Sequence, residues 1–561
     1  MTQRDKTNAV SGTPPSALLR NAPVIFILLI ALGLRLWGIG WGLPNAARLF
    51  SYHVDESMVV GASLTLNPFA FQFDPGFYNY GSLALILNSV AIHLGEFMGL
   101  VAPGPAPGVP SATALMTARL VTAVLGVATC GLLFGIGRRG YGTAAGIAAS
   151  LFYAITPLAV QHGHFATVDV PATFFVAGAL YFASRHLEPS SCRPRDLLWC
   201  GLWSGFAAAT KYNTGLVILA GLVAWWLVAD RQKLAVVLLF GAAILGFLLG
   251  CPAILLNPSG TLDAILYESW HASTGHGDVF AATPPAFLYH LFFNLRWGLG
   301  WPLLIVSLVA LGYALYRRRP GDILLLAFLI PFYGLMGLAQ IKFARYTLPL
   351  FPPLALLVGS IIPWPAADAS SRRKAGVVTG AIGAAGAYAL LFSLAIDNTM
   401  NGTDPRDQAA AFIRQRGIQS VGFATGPWFP APPLNPLLSA PIPKVARESV
   451  TRFDTVPRLI ASEVAGEPVE WDTNLLRESQ PDAVSLSEIN EYADAERAKR
   501  PAALAYLAEI REKYPNSTVF ANPMQVFGIP FTKLSAANGL PSQDLPHDML
   551  YTNPTTVVFT R

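Results

Sequence analysis

Two adjacent carboxylates, Asp55 and Glu56, follow closely on an apolar run that begins near Pro23. A third acid, Asp169, lies just before a later apolar run. Basic and histidine residues occupy comparable places beside other apolar runs: Arg119, His162, His164, Lys211, Lys342 and Arg345. A carboxylate within hydrogen-bonding reach can take the proton of an attacking hydroxyl. Cations bind a phosphate and stabilise the charge that grows on it as it departs. The combination therefore suggests a site that handles a phosphate while activating a hydroxyl.

The two histidines, His162 and His164, flank Gly163 shortly before Asp169. An H-x-H pair beside an acid can bind zinc or manganese. No third ligand is evident, so the favoured interpretation is polar contact in an external turn or a part of the acceptor pocket. A divalent metal stays open as an alternative, and no other cofactor is expected.

The composition places these residues in a membrane protein. Of the 561 residues, 53% are hydrophobic and only 13% are charged. The apolar excess lies between about Pro23 and Ile396, in runs close to the ~20 residues that cross a bilayer. Beyond Asp397 the composition becomes that of a soluble domain. The net charge of +5 comes largely from short loops between apolar runs, which a membrane explains without a nucleic-acid partner.

The basic loops also predict the orientation, because Lys and Arg concentrate on the cytoplasmic side. Neighbouring basic clusters must then be separated by an even number of crossings. If the run at 81–101 were a crossing, the number of crossings between two neighbouring basic clusters would be odd. Its polar residues, however, recur at helical spacing: Asn88, Ser89, His93 and Glu96. That pattern is typical of a helix lying in the membrane interface. About eleven crossings remain, with the N-terminus in the cytoplasm and the C-terminal domain outside.

This topology assigns all the acids, cations and histidines of the predicted site to the outer membrane face. Any one of them, taken alone, is explained equally well by a loop-end charge that extends to water. Ionisable groups at membrane depth are costly, however, and are usually kept for a function. The full set mixes acids and bases on one face, so a shared site is the favoured interpretation.

The chain is therefore predicted to be a polytopic α-helical membrane protein with three parts. Residues 1–21 form a cytoplasmic tail, and residues 22–396 form the transmembrane module. That module includes an external loop at 43–117, which contains the juxtamembrane helix. Residues 397–561 form an extracytoplasmic α/β domain, because β-like runs such as "SVGFAT", "DAVSLS" and "TTVVFT" alternate with helix-like "DQAAAFIRQRG" and "RPAALAYLAEIREKY".

Several motifs in order carry a family resemblance. They are "YHVDES", "FDPGFYNYGSLALIL", "ARLVTAVLG", "HGHFATVDVPATFF", "TKYNTGL" and "KFARYTLPLFPPLALL", followed by "DPRDQAAAFIRQRG" and "HDMLYTNPTTVVF". The chain resembles the GT-C superfamily of membrane glycosyltransferases. The nearest group is the bacterial relatives of protein O-mannosyltransferases and of the lipid A aminoarabinose transferase, which are glycosyltransferase family 39-like.

The resemblance implies roles for the site residues. Asp55 would be the catalytic carboxylate, supported by Glu56, and Asp169 would be the second acid of the same cavity. The lipid phosphate would be held by cations, with the last a weaker candidate: Arg119, Lys211, Arg345 and Lys342. The family generally inverts the anomeric centre by direct displacement, so no covalent sugar–enzyme intermediate is expected.

The implied donor is a sugar on a polyprenyl phosphate of the undecaprenyl type, used at the outer face of a bacterial cytoplasmic membrane. A lipid, a glycan and a protein all stay open as acceptors. The aminoarabinose transferases carry a lysine where this chain reads Asp74-Pro75-Gly76. This difference argues against aminoarabinose specificity and shifts the expected phosphate contacts toward Arg119 and Lys211.

Two other classes of function compete with a transferase. A transporter or flippase of lipid-linked sugars would place ionisable residues near the bilayer midplane and would show internal repeats. Here the charges gather at one face and no repeat is evident, so this class is disfavoured. In a non-catalytic receptor for a polyprenyl-phosphate ligand, the acids of the predicted site would have no catalytic role.

Overall fold

Helices fill the part of the chain predicted to lie in the membrane. The computed structural model describes residues 17–105, 108–188, 193–362, 369–435, 457–464, 467–537 and 539–561. Most of the predicted tail 1–21 thus lies outside the described residues. The helices up to the external domain are α1 Ala17–Leu36, α2 Val54–Leu64, α3 Leu83–Phe97, α4 Ala112–Tyr141, α5 Thr143–Ile155, α6 Pro157–His162, α7 Asp169–His186, α8 Pro194–Thr210, α9 Ile218–Leu227, α10 Lys233–Gly250, α11 Ala253–Leu256, α12 Pro258–Thr274, α13 Ala286–Tyr289, α14 Leu295–Leu299, α15 Trp301–Arg317, α16 Pro320–Gly337, α17 Phe351–Ser360 and α18 Ala369–Asn401.

Local sequence signals explain where many of these helices begin. Ser111 caps α4 by accepting a hydrogen bond from the backbone N–H of Ala114. Proline occupies the first turn of α6, α8, α12 and α16, where its missing N–H costs nothing. The break between α4 and α5 falls at Gly142, whose φ of 99° favours glycine.

Length and composition identify four described helical stretches as candidate membrane spans, or up to five when one bent pair is counted as a span. The four are Ala112–Tyr141, Lys233–Gly250, Pro320–Gly337 and Ala375–Gln415. The bent pair joins Ala286–Leu299 to Trp301–Arg317 at an angle of 120°. Helices also occupy the other predicted apolar runs, but they do not meet the same limits of length and composition, so the expected number of about eleven crossings stays a prediction. The long connection between α10 and α15 contains the helix α12.

Helices α8 and α10 approach one another very closely because glycines line their contact. A Cβ atom on Gly201 would overlap the backbone carbonyl of Leu239, and one on Gly205 would overlap that of Ala243. On the partner helix, a Cβ on Gly246 would overlap the carbonyl of Leu202. Small residues of this kind let membrane helices pack backbone to backbone.

The C-terminal part, predicted to lie outside the membrane and called the external domain here, forms the expected α/β fold. Its strands are β1 Ser420–Phe423, β2 Arg458–Ile460, β3 Glu463–Val464, β4 Glu467–Pro468, β5 Ala483–Ser487, β6 Asn516–Phe520, β7 Gln525–Val526, β8 Ile529–Pro530, β9 Leu534–Ala537, β10 Leu540–Gln543 and β11 Thr556–Thr560. Five of them form one sheet in the order β2-β1-β5-β11-β6, in which β11 runs antiparallel to both of its neighbours. The helices are α19 Pro405–Gln415, α20 Ala493–Ala498 and α21 Pro501–Lys513.

Successive side chains along a strand point to opposite faces of the sheet. The side chains of β11 are buried on both faces. Val558 of β11 belongs to the cluster that contains Ile413 of α19. Its neighbours Val557 and Phe559 belong to the cluster that contains Tyr506 of α21. The sheet is therefore covered by a helix on each side.

The external domain is packed directly onto the helical part. The predicted boundary at residue 397 falls inside α18, which continues to Asn401. Phe531 of the external domain stacks on Phe392 of α18, with ring centroids 5.1 Å apart. Met549 and Tyr551 belong to the same buried hydrophobic cluster as the helices. The two parts therefore share one core.

We predict that Gly201→Ala destabilises the protein, because the new methyl group must push α8 away from Leu239. Overpacking of this kind costs about 1–3 kcal/mol. The matched control is Gly241→Ala on α10, where a Cβ would meet nothing within 4 Å. Thermal unfolding in detergent should show a lower melting temperature for Gly201→Ala only. Equal melting temperatures would contradict the close approach of the two helices.

The external domain also contains a pH-sensitive carboxyl group. Burial raises the pKa of Glu491 to about 7, although Thr425 donates a hydrogen bond to it. A raised folded-state pKa contributes stability that is fully present below the ordinary value of 4.5 and is lost as the pH rises through about 7. The folded protein should therefore lose about 3 kcal/mol from this group between pH 4 and pH 8.

We expect Glu491→Gln to flatten this dependence, since an amide does not titrate. The measurement is the melting temperature of the full chain across that pH range. The exposed Glu512→Gln in the same domain serves as the control. If the wild type and Glu491→Gln showed the same slope, the buried acid would not be the cause.

Candidate active site

Four charged residues reach the site from the ends of different helices. Asp55 lies in the first turn of α2, whose N-cap His53 accepts a hydrogen bond from the Asp55 backbone N–H. Asp169 is the first residue of α7, and Lys211 directly follows α8. Arg345 lies in the 3-10 segment Ala344–Leu350, which leads into α17.

These four side chains form one continuous network in which positive and negative charges alternate. The Nη2 atom of Arg345 lies 3.0 Å from Oδ2 of Asp55, and its Nε lies 3.9 Å from Oδ2 of Asp169. The other oxygen of Asp169 accepts a hydrogen bond of 2.6 Å from Nζ of Lys211. Asp55 is the most accessible member, with 20% of its side chain exposed against 4–10% for the others. The acid with the best access to a reactant is therefore held by a buried network.

Aromatic rings cover the two cations of this network. The Lys211 ammonium lies 4.1 Å from the ring centroid of Tyr346, and the Arg345 guanidinium lies 4.1 Å from that of Phe343. A cation over a ring face is attracted by its quadrupole, and the ring also excludes water. The charges therefore act in surroundings where electrostatic interactions are stronger than in water.

Glu56 and Arg119 form a separate ion pair that is fully buried. Nε of Arg119 donates to Oε1 of Glu56 at 2.8 Å, and Nη2 donates to Oε2 at 2.6 Å. Oε1 also accepts a hydrogen bond from the backbone N–H of Ala166, and Oε2 accepts one from Ser51. Burial by itself would raise the pKa of Glu56, but the charge and hydrogen bonds of Arg119 bring it below the ordinary value.

The environment of Arg119 differs from the one expected for a phosphate ligand. Nη1 donates to the backbone carbonyls of Ile39 and Trp41, both at 2.6 Å. The remaining N–H group points to the hydroxyl of Ser51 at 3.4 Å. All five guanidinium N–H groups are thus taken by protein acceptors. The geometry favours a role for the Glu56–Arg119 pair in holding the external loop against α4, beside Asp55, over the predicted contact with phosphate.

The histidines of the H-x-H pair face different surroundings. The ring nitrogens of His164 lie 2.8 Å and 3.1 Å from the carbonyls of Val160 and Trp37, away from the charged network. His162 is buried near the network, with Nε2 3.8 Å from a carboxylate oxygen of Asp548. Among the described residues, no group of three or more His, Cys, Asp or Glu side chains could hold a metal ion.

Lys342 lies outside the charged network. Its Nζ donates a hydrogen bond of 2.8 Å to the hydroxyl of Thr283, in the segment between α12 and α13. Its backbone carbonyl accepts a hydrogen bond from Asn294. Lys342 is therefore separated from the two cations that contact Asp169, Lys211 and Arg345.

Sequence reasoning missed one residue of the site, Asp548. It belongs to the 3-10 segment His547–Thr552 of the external domain and is fully buried. One carboxylate oxygen lies 3.7 Å from Nη1 of Arg345. The only sequence signal was its presence in the motif "HDMLYTNPTTVVF". Asp548 and Arg345 are too far apart along the chain for their spacing to predict a contact.

We predict that Glu56→Ala prevents stable folding, because it leaves the buried charge of Arg119 without its counter-charge. Removing one partner of a buried ion pair costs about 3–5 kcal/mol. Glu96→Ala, in the exposed part of α3, is the matched control. The measurements are the yield of monodisperse protein and its melting temperature. A normal yield and melting temperature for Glu56→Ala would show that the pair is dispensable.

Comparison with known proteins agrees with this architecture. Residues 113–255, about a quarter of the chain, match the family model described as dolichyl-phosphate-mannose-protein mannosyltransferase. The matched stretch contains Arg119, Asp169 and Lys211, but not Asp55 or Arg345. No curated protein sequence matches the chain.

Three solved structures illustrate the similarity. The oligosaccharyltransferase AglB from Archaeoglobus fulgidus, in complex with an inhibitory peptide and a dolichol-phosphate, has 14% identity over 96% of this chain and 78% of its own, with a TM-score of 0.51. ArnT from Cupriavidus metallidurans, bound to undecaprenyl phosphate, has 16% identity over 72% of this chain and 73% of its own, with a TM-score of 0.47.

The third structure is the Pmt1–Pmt2 protein O-mannosyltransferase complex from S. cerevisiae, bound to the sugar donor. It has 22% identity over 48% of this chain and 36% of its own, with a TM-score of 0.31. The family match agrees with the resemblance drawn from the sequence motifs over residues 113–255, and the AglB structure shares the fold of this chain.

Proposed function

We propose that this protein transfers a sugar from a polyprenyl-phosphate donor of the undecaprenyl type to a hydroxyl or phosphate acceptor. The reaction would take place at the outer face of a bacterial cytoplasmic membrane, in accordance with the orientation predicted from the basic loops. The acceptor would be a lipid, a glycan or a protein. The observation that carries the proposal is the chain of charges Asp55–Arg345–Asp169–Lys211.

The network supplies both functions that such a transfer requires. Asp55 is the accessible carboxylate and would take the proton of the acceptor hydroxyl. The acceptor oxygen would then form a bond to the anomeric carbon while the bond from that carbon to the phosphate oxygen breaks. The electron pair leaves with the polyprenyl phosphate, whose negative charge Lys211 and Arg345 would stabilise. One displacement of this kind inverts the anomeric centre.

The remaining acid, Asp169, would orient the two cations. It contacts Lys211 with one oxygen and faces Arg345 with the other, so it fixes the distance between the two positive charges. Two cations of fixed spacing suit a phosphate, which carries several acceptor oxygens. The donor class is supported by the family description, which names a dolichyl-phosphate sugar, and by the dolichol-phosphate in the AglB structure.

We expect Asp55→Asn to abolish sugar transfer while leaving the protein folded and able to bind polyprenyl phosphate. Loss of a general base typically costs 10²–10⁴-fold in rate. The conservative control is Asp263→Asn, on the exposed side of α12, which should transfer sugar at the wild-type rate. Near-normal transfer by Asp55→Asn would remove Asp55 from the catalytic role.

The substrates can be identified in cells that lack the protein. Mass spectrometry of their lipids and envelope glycans should show one missing sugar and an accumulated polyprenyl-phosphate sugar. Complementation with wild type should restore both, and complementation with Asp55→Asn should restore neither. A deletion strain with unchanged glycans and unchanged carrier lipids would contradict the proposal.

A further inference from the structure

The external domain reaches into the active site through one carboxylate. Oδ1 of Asp548 accepts a hydrogen bond of 2.9 Å from the backbone N–H of Ala344, and Oδ2 accepts one of 2.8 Å from that of Arg345. These residues lie 204 and 203 positions apart in the chain. Because Ala344 and Arg345 begin a 3-10 segment, their N–H groups have no partner within that segment. Asp548 therefore fixes the backbone from which the Arg345 side chain extends.

The same carboxylate also faces the guanidinium group. Oδ2 of Asp548 lies 3.7 Å from Nη1 of Arg345, too far for a hydrogen bond but close enough for strong attraction between buried charges. Nη1 is buried and makes no hydrogen bond within the part of the chain that the structure describes. Asp548 thus balances the Arg345 charge at Nη1, whereas Asp55 contacts Nη2, and Nη1 keeps N–H groups free to donate.

The segment that carries Asp548 is itself held from several directions. Gln161, at the end of α6, donates a hydrogen bond of 3.0 Å to the carbonyl of Met549. Arg406, at the start of α19, donates one of 2.8 Å to the carbonyl of Tyr551. The His547 ring lies 2.7 Å from the side-chain oxygen of Asn490. These bonds tie the segment to both the helical part and the external domain, so Asp548 has little freedom to move.

We infer that Asp548 is a positioning residue that places Arg345 for contact with the donor phosphate. The inference rests on the proposed function and extends it, because it makes the external domain a part of the catalytic centre. Asp548 does not need to touch the substrate. It acts by fixing the Arg345 backbone with two charge-assisted hydrogen bonds and by holding the guanidinium between three carboxylates, those of Asp55, Asp169 and Asp548.

The test measures binding of undecaprenyl phosphate, without a sugar, to the purified full chain in detergent. Asp548→Asn keeps the size of the side chain but removes its charge and one of its two acceptor oxygens. We expect its affinity for undecaprenyl phosphate to fall about tenfold to a hundredfold, the effect of losing one or two hydrogen bonds to a charged group. Asp544→Asn, exposed four residues earlier, should bind as the wild type does.

A double-variant cycle distinguishes positioning from general destabilisation. Arg345→Gln removes the charge that Asp548 positions, so Asp548→Asn should add less than twofold on that background. If Asp548→Asn lowered affinity by the same factor with Gln as with Arg at position 345, its effect would not pass through Arg345. That result would overturn the inference.

The remaining outcomes separate the inference from the proposed function. If the wild type failed to bind undecaprenyl phosphate, the donor class would be wrong and the inference would fall with it. If the wild type bound it and Asp548→Asn bound equally well, only the inference would be overturned. Should Asp548→Asn fail to fold, Asp548→Glu keeps the charge but displaces it, and wild-type affinity in that variant would likewise overturn the inference.

Discussion

The site depends on one buried guanidinium. Arg345 is contacted by carboxylates from three distant parts of the chain: Asp55 in the external loop, Asp169 at the start of α7 and Asp548 in the external domain. A buried charge must be balanced by opposite charges and hydrogen bonds, because desolvation would otherwise be prohibitive. Arg345 therefore requires these three segments to meet, and Asp55 is the acid of this cluster that stays partly accessible.

The structure divides the predicted charges into two groups with different physical characters. In the Glu56–Arg119 pair every donor and acceptor is saturated within the protein, as in ion pairs that serve only to hold segments together. In the chain of charges around Arg345 some distances approach 4 Å and Asp55 is partly exposed. Incomplete pairing leaves capacity to receive a substrate. Hydrogen-bond saturation thus distinguishes neighbours that look equivalent in the sequence.

Much of this organisation could be predicted from the sequence, for identifiable reasons. Composition separated the apolar helices from the α/β domain, because burial in a membrane and burial in a sheet leave different patterns. The convergence of Asp55, Asp169, Lys211 and Arg345 followed from topology, which assigned all four to one face. Asp548 could not be found this way, since its role depends on a tertiary contact with backbone N–H groups. The sequence also could not show that the N–H groups of Arg119 are all hydrogen-bonded, because its partners at Ile39 and Trp41 are main-chain carbonyls.

The strand order of the external sheet has a consequence for biogenesis. Strand β11 lies between β5 and β6, and it is synthesised after every one of the helices that precede the external domain. The ribosome thus delivers this inner strand after both of its neighbours, so until β11 has been synthesised β6 has no partner in the sheet and β5 is paired only with β1. Asp548 lies just before β11, so the Arg345 charge also stays uncompensated on that side during this interval. The nascent chain would then expose open strand edges and an incomplete charge cluster until β11 has been synthesised, the stage at which chaperones would be most needed.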